Sequence, residues 1–307
     1  MDRSPESWVV QSPWLDMQCG LGEWPFYEKA TNSIRFVDII KKQLHSVSLT
    51  EGVESLQTVQ LDVRPTVTSD IQSVDPREKI LLGVKYGIAV LDRRSGTYDM
   101  LARFQEPDNE RIRGNDGASD PLGGFWLGTM TDFSYGDLKP EASPFSAEIA
   151  MAGHRTGLTI PNSGGWSPDR KTMYFAHTKE RHILAWDYDS SFGAPGRERL
   201  FYQHNGPGGP DGFRIDVDGN LWSAVYGQGL VLKLSPKGEE LGRIKLPARN
   251  ISCVQFAGTE LVITSAADDS DDADPTSKRF GGAVFKLDVG IRGLDLFEFR
   301  MGLGSKN

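Results

Sequence analysis

The chain alternates short apolar runs with polar turn signals at an almost even interval. The segments TNSIRFVD, REKILLG, GGFWLG, DRKTMYFA, DGNLWSA and GTELVITS each pass from a turn into β-branched and aromatic residues. Their first apolar residues, Ile34, Ile80, Phe125, Met173, Leu221 and Leu261, stand 46, 45, 48, 48 and 40 residues apart. Further strand-like pieces lie between them, among them QLHSVSL, GIAVLDRR, HILAWDYD, GLVLKLSP and GAVFKLDV. Such composition, broken by Gly, Pro, Asn and Asp, favours strands. No long segment carries a 3.6-residue apolar period with caps. A period of roughly 40–50 residues, with several strands in each, is the mark of a β-propeller. Six anchors predict an all-β, six-bladed propeller, one domain over residues 1–307. An N-terminal strand at about 8–14 would close the last blade and remove an exposed edge.

Four polar residues keep phase with the anchors. Glu23 lies 11 residues before Ile34, Asn115 10 before Phe125, Asn162 11 before Met173 and Asp211 10 before Leu221. At the start of successive innermost strands, all four would face the mouth of one central channel. Two carboxylates and two amides gathered there would repel or stay underpaired without a cation. Oxygen donors suit a hard divalent ion such as Ca²⁺, Mg²⁺ or Mn²⁺. Zinc stays open because carboxylates bind it too, although no His or Cys set favours it. Singly, each residue could equally cap a turn through its own side chain; recurrence in register favours a shared axial metal site.

Charge narrows the partners. A formal net charge of −8 over 307 residues argues against nucleic acid, whose phosphates want a basic surface. No run reaches the roughly 18 apolar residues of a membrane span, and MDRSPESWVV lacks a signal peptide's apolar stretch. The expectation is a cytoplasmic monomer or weak homodimer acting on a small molecule. Cys19 and Cys253 are too few for a disulfide scaffold, though an N-terminal closing strand would bring them near each other. The run DDSDDADP has Arg279 where a calcium loop needs Glu, and reads as a solvated acidic loop.

The motifs GLGEWPFY, RGNDGASDPLGGFWLGTM, PNSGGWSPD and PDGFRIDVDGNLWSA, in this order, resemble those of the SMP-30/gluconolactonase/luciferin-regenerating-enzyme family. SCVQFAGTELVITSA extends the likeness. The resemblance implies a six-bladed propeller with one axial divalent cation, calcium foremost, that hydrolyses sugar lactones. It implies Glu23, Asn162 and Asp211 as metal ligands, and Arg113 and Asn115 as substrate-binding residues. Asp211, a carboxylate at the metal, is the best-placed general base. Three departures stand out: Trp24 where the family has a small residue, Ser163-Gly164 after Asn162, and an altered segment from Thr131 to Thr159 with His177 following. Trp24 would bind substrate by narrowing the mouth or stacking, or else pack in a blade core. Two other functions stay open: a metal-dependent phosphotriesterase or other ester hydrolase, and a non-catalytic binding propeller.

Overall fold

The computed structural model describes residues 5–104, 109–140, 144–146 and 158–302. Among the described residues the chain is all-β apart from short helical turns and one helix, Pro275–Phe280. It forms a β-propeller: the described strands make six separate sheets, each wound mainly from consecutive strands. The innermost strands are Gly22–Glu28, Pro65–Ser69, Ile112–Ser119, Pro161–Trp166, Gly209–Ile215 and Ile251–Ala257. Each touches the next, and the last returns to the first.

The apolar runs follow from this arrangement. A strand inside a sheet that is sandwiched between two neighbours buries both faces, so it reads as continuously apolar. Phe125–Thr131 and Leu221–Tyr226 are such strands, buried nearly throughout. The outer strands are less buried: Tyr98–Arg103 is half-buried to exposed, and Ala194–Gln203 is exposed along its middle. The cores lie between sheets. Val37, Ile39 and Leu44 of the first meet Ile80, Leu82 and Leu91 of the second, and Tyr174 and Ile183 of the fourth meet Phe213 and Leu221 of the fifth.

Two Asp residues shape their hairpins. Asp216 accepts from Asp218 N, Asn220 N and Trp222 Nε1. Asp120 likewise accepts from Leu122 N, Gly124 N and Trp126 Nε1. Each carboxylate ties a tight turn to the indole of the next strand, which a connecting loop alone would leave free.

The closing strand differs from the expectation over 8–14. Glu6–Val9 adds parallel to Glu240–Lys245 at the outer edge of the fifth sheet. The tie to the sixth sheet is a backbone exchange between Leu15 and Val284. Cys19 and Cys253 are free buried thiols in different core clusters. Nor is the acidic loop merely solvated. Asp268 is buried and pairs with Arg249 at 2.8 Å, and Asp274 caps the helix Pro275–Phe280. Of the altered segment from Thr131 to Thr159, residues 141–143 and 147–157 lie outside the described residues. No described helix is long and apolar enough to cross a membrane.

Candidate axial site

All six innermost strands break register with their partner at the same place. The irregularity falls between Glu23 and Phe26, Pro65 and Val67, Gly114 and Gly117, Pro161 and Gly164, Pro210 and Phe213, and Ile251 and Cys253. A bulge inserts a residue and re-aims side chains. Here it holds Asn115-Asp116, Asn162-Ser163 and Asp211-Gly212, with Thr66 and Ser252 in the second and sixth sheets, and Glu23 standing immediately ahead of it in the first. Asn115, Asn162 and Asp211 therefore share one structural position, and Glu23 stands one residue before it.

That position is buried. Glu23, Asn115, Asp116, Asn162 and Asp211 are all less than a tenth exposed. Asn115 Nδ2 donates to Asn162 Oδ1 at 2.9 Å and to Pro161 O at 2.8 Å, so Asn115 also orients the Asn162 amide. Asn162 Nδ2 donates to Thr178 Oγ1 at 2.5 Å, and Thr178 Oγ1 to Pro210 O at 2.8 Å. Asp116, absent from the sequence-based set, accepts from Ser163 Oγ at 2.8 Å and Gly117 N at 2.7 Å. Ser163 Oγ in turn accepts from Phe213 N. One of the family departures thus holds a carboxylate in place.

The electrostatics point the same way. Burial, then the Asp116 charge, raise Glu23 to about 8. Burial and the charges of Glu23 and Asp116 push Asp211 well above the carboxylate range. Asp116 is raised too, chiefly by burial. Burial followed by the Asp211 and Glu23 charges also lifts the Tyr226 phenol, a neighbour that sequence spacing does not reveal. Among the described residues none of the three acids has an ion-pair partner within 4 Å. Acids held this way either stay protonated or want a cation.

Arg113 is 1% exposed, donates from Nη1 to Gly114 O at 2.7 Å, and lies 4.3 Å from the ring centroid of Phe133. Burial lowers it to about 10. Trp24 packs in the core rather than offering a surface. It is 3% exposed, its indole donates to Thr68 O at 2.6 Å, and the Arg214 guanidinium sits 4.1 Å from its ring centroid. Its φ of 49° is left-handed, a conformation costly for a bulky residue.

The chain after the last strand crosses the ends at which the innermost strands finish. Leu294 N bonds Ile215 O, Phe299 N bonds Asp70 O and Arg300 N bonds Gly123 O. Phe297 lies against Trp166, centroids 5.9 Å apart. The bulges lie at the opposite, starting ends.

Among the described residues no three His, Cys, Asp or Glu side chains form a metal-holding group by themselves. Glu23, Asp211 and the Asn162 amide are hard oxygen donors, a chemistry that would suit a divalent ion of the calcium or magnesium kind.

A ring of sheets that gathers buried acids at one end of its axis defines a propeller with a polar axial site. Residues 21–267 match the SMP-30/Gluconolactonase/LRE-like region, and the chain belongs to that family. It is 31% identical over 305 residues to the pentonolactonase XacC of Haloferax volcanii, covering 94% of this chain and 98% of that protein. Among solved structures it is similar to a calcium-binding protein, regucalcin, from Agrobacterium tumefaciens. The TM-score is 0.82 at 26% identity, covering 96% of this chain and 98% of that one. A luciferin-regenerating enzyme superposes with TM-score 0.81 at 26% identity, covering 92% and 96%.

Proposed function

We propose that the chain is a metal-dependent hydrolase that opens a lactone ring, built as one closed six-bladed propeller. The supporting observation is the set of buried, uncompensated acids at the inner-strand bulges, in a family with lactonases among its relatives. Glu23, Asn162 and Asp211 hold the cation, calcium being favoured by the donor set and by the regucalcin relative. When bound, such an ion polarises a carbonyl oxygen and lowers the pKa of a nearby water. Asp211 takes the proton of the attacking water, because ionised it is an acceptor within the site. Asn115 fixes the Asn162 oxygen, and Arg113 and Asn115 orient the lactone and offset charge developing on its carbonyl oxygen.

The test is proton release from several aldonolactones by the native and chelated protein, with Asp211→Asn and Asp218→Ala beside it. Asp218 sits exposed in the Asp216 hairpin. Activity and metal content should collapse on chelation and in Asp211→Asn, and persist in Asp218→Ala. Hydrolysis that survives complete metal removal, or equal metal content in the two variants, refutes the proposal.

A further inference from the structure

The altered segment after Thr131 begins with a turn that the axial chemistry does not use. Phe125–Thr131 runs antiparallel to the third inner strand, pairing Thr131 with Ile112 and Met130 with Arg113. It therefore finishes beside the start of that strand, at the end that carries the bulges. There Phe133–Tyr135 makes a single helical turn. Phe133 is 41% exposed and Tyr135 45%, although Phe is among the residues most often buried. The Phe133 ring covers the buried Arg113, its centroid 4.3 Å from the guanidinium carbon. A molecule entering the mouth on this side meets the ring before the cation.

The turn is held firmly from below. Asp132 is fully buried, and its Oδ1 accepts from Ser134 N at 2.9 Å. Arg64 Nη1 donates to both Asp132 oxygens, at 2.6 and 2.7 Å, and Lys85 Nζ lies 3.6 Å away. Backbone bonds run from Asp132 N to Arg111 O and from Tyr135 N to Asp132 O. Arg64 stands just ahead of the second inner strand, Pro65–Ser69, so the turn is fastened to two sheets at once. Burying a carboxylate is costly, and what this one secures is an exposed aromatic ring in a fixed place. A ring fixed in advance meets a ligand with little further loss of freedom.

We infer that Phe133 sets substrate specificity, as an aromatic wall of the mouth that receives an alkyl or deoxygenated arm of the lactone. The preferred substrates carry such an arm on this side in place of hydroxyls. This deepens the proposed lactone-opening function and rests on it. The ring has no hydrogen bond to offer a hydroxyl, whereas an apolar arm laid on it leaves water together with the exposed face. Arg113 backs the ring from the other side, and Asp132 is the positioning residue that fixes the turn. The wall stands beside the axial donors and not among them, so it acts on binding rather than on the chemical step.

Initial rates with γ-nonalactone, which carries an alkyl arm, and with an aldono-γ-lactone of the same ring size test this. Phe133→Ala should raise KM for the alkyl lactone about tenfold, the size expected for one lost aromatic face. Its kcat, and its KM for the aldonolactone, should stay within about twofold of wild type. Phe133→Leu, apolar but smaller, should fall between. Leu101→Ala removes a similarly exposed apolar side chain on an outer strand and should change neither constant. If both KM values rise together in Phe133→Ala, the ring only shields Arg113 and the inference is overturned. Titration calorimetry with the lactam analogue of the alkyl lactone covers the case in which no lactone is opened. The lactone-opening function then fails, yet tighter lactam binding by wild type than by Phe133→Ala still upholds the wall. Equal binding, or none, overturns it.

Discussion

Stability of the metal-free protein should fall as pH rises, and a divalent ion should remove that dependence. Glu23 carries the sign. Burial and Asp116 raise its folded-state value from 4.5 to about 8, so between these limits the folded chain holds a proton that the unfolded chain has released. Stability then decreases with pH: it is fully present below about 4.5 and is lost progressively until about 8. Taken alone, the shift corresponds to at most about 5 kcal/mol. The three acids share their repulsion, so one of them relieves the others when protonated; about 2–3 kcal/mol over pH 5–8 is a fair expectation. For a chain of this length that is roughly 4 °C in the midpoint. Thermal melts in chelator at pH 5, 6, 7 and 8, repeated in millimolar calcium and with Glu23→Gln, measure it. The chelated wild type should decline across the series, and both calcium and Glu23→Gln should flatten the decline. A chelated protein that holds its midpoint over this range, or a Glu23→Gln protein that keeps the full slope, would show that the acids are not forced together as the structure has them.

Two further substitutions separate the site from its support. Asp116→Asn removes a charge while keeping shape, so calcium affinity should drop about 10–100-fold. The chelated midpoint should change little, because eased repulsion offsets a weakened bond to Ser163 or Gly117 worth about 1 kcal/mol; titration calorimetry showing wild-type affinity would exclude Asp116 from the site. Trp24→Gly should relieve about 1–2 kcal/mol of left-handed backbone strain but forfeit about 3–5 kcal/mol of core packing. The net result should be a lower midpoint, and an unchanged one would place Trp24 at an open mouth after all.

The repeat was legible because its cause is local. Each sheet needs an apolar second strand entered from a turn, so Ile34, Phe125 and Leu221 announce themselves at even spacing. The common position of Asn115, Asn162 and Asp211 was legible for the same reason, while Glu23 stands one residue before it. Asp116 was not. In a regular strand consecutive residues face opposite ways, so counting back from an anchor selects one residue per strand and passes over its neighbour. Trp24 and Arg214 were hidden differently: a cation resting on a buried indole joins two strands distant in the chain, and no local pattern encodes that contact. The N-terminal strand was misplaced because pairing parallel to Glu240–Lys245 depends on which edge is free.

The bulge explains how one scaffold tolerates so concentrated a charge. Without it, Asn115 and Asp116 would divide between the axis and the sheet interior, and the pair Asn162-Ser163 would do the same. The inserted residue lets two consecutive side chains serve one side while the ladder resumes at Gly117, Gly164 and Phe213. Beyond that point the strands return to packing, and cores such as Val37 against Ile80 or Tyr174 against Leu221 meet no axial group. The electrostatic cost of the acids falls on a ring whose stability is set elsewhere, between sheets. Residues in the bulge can then change the chemistry at the axis without altering the sheet-to-sheet cores.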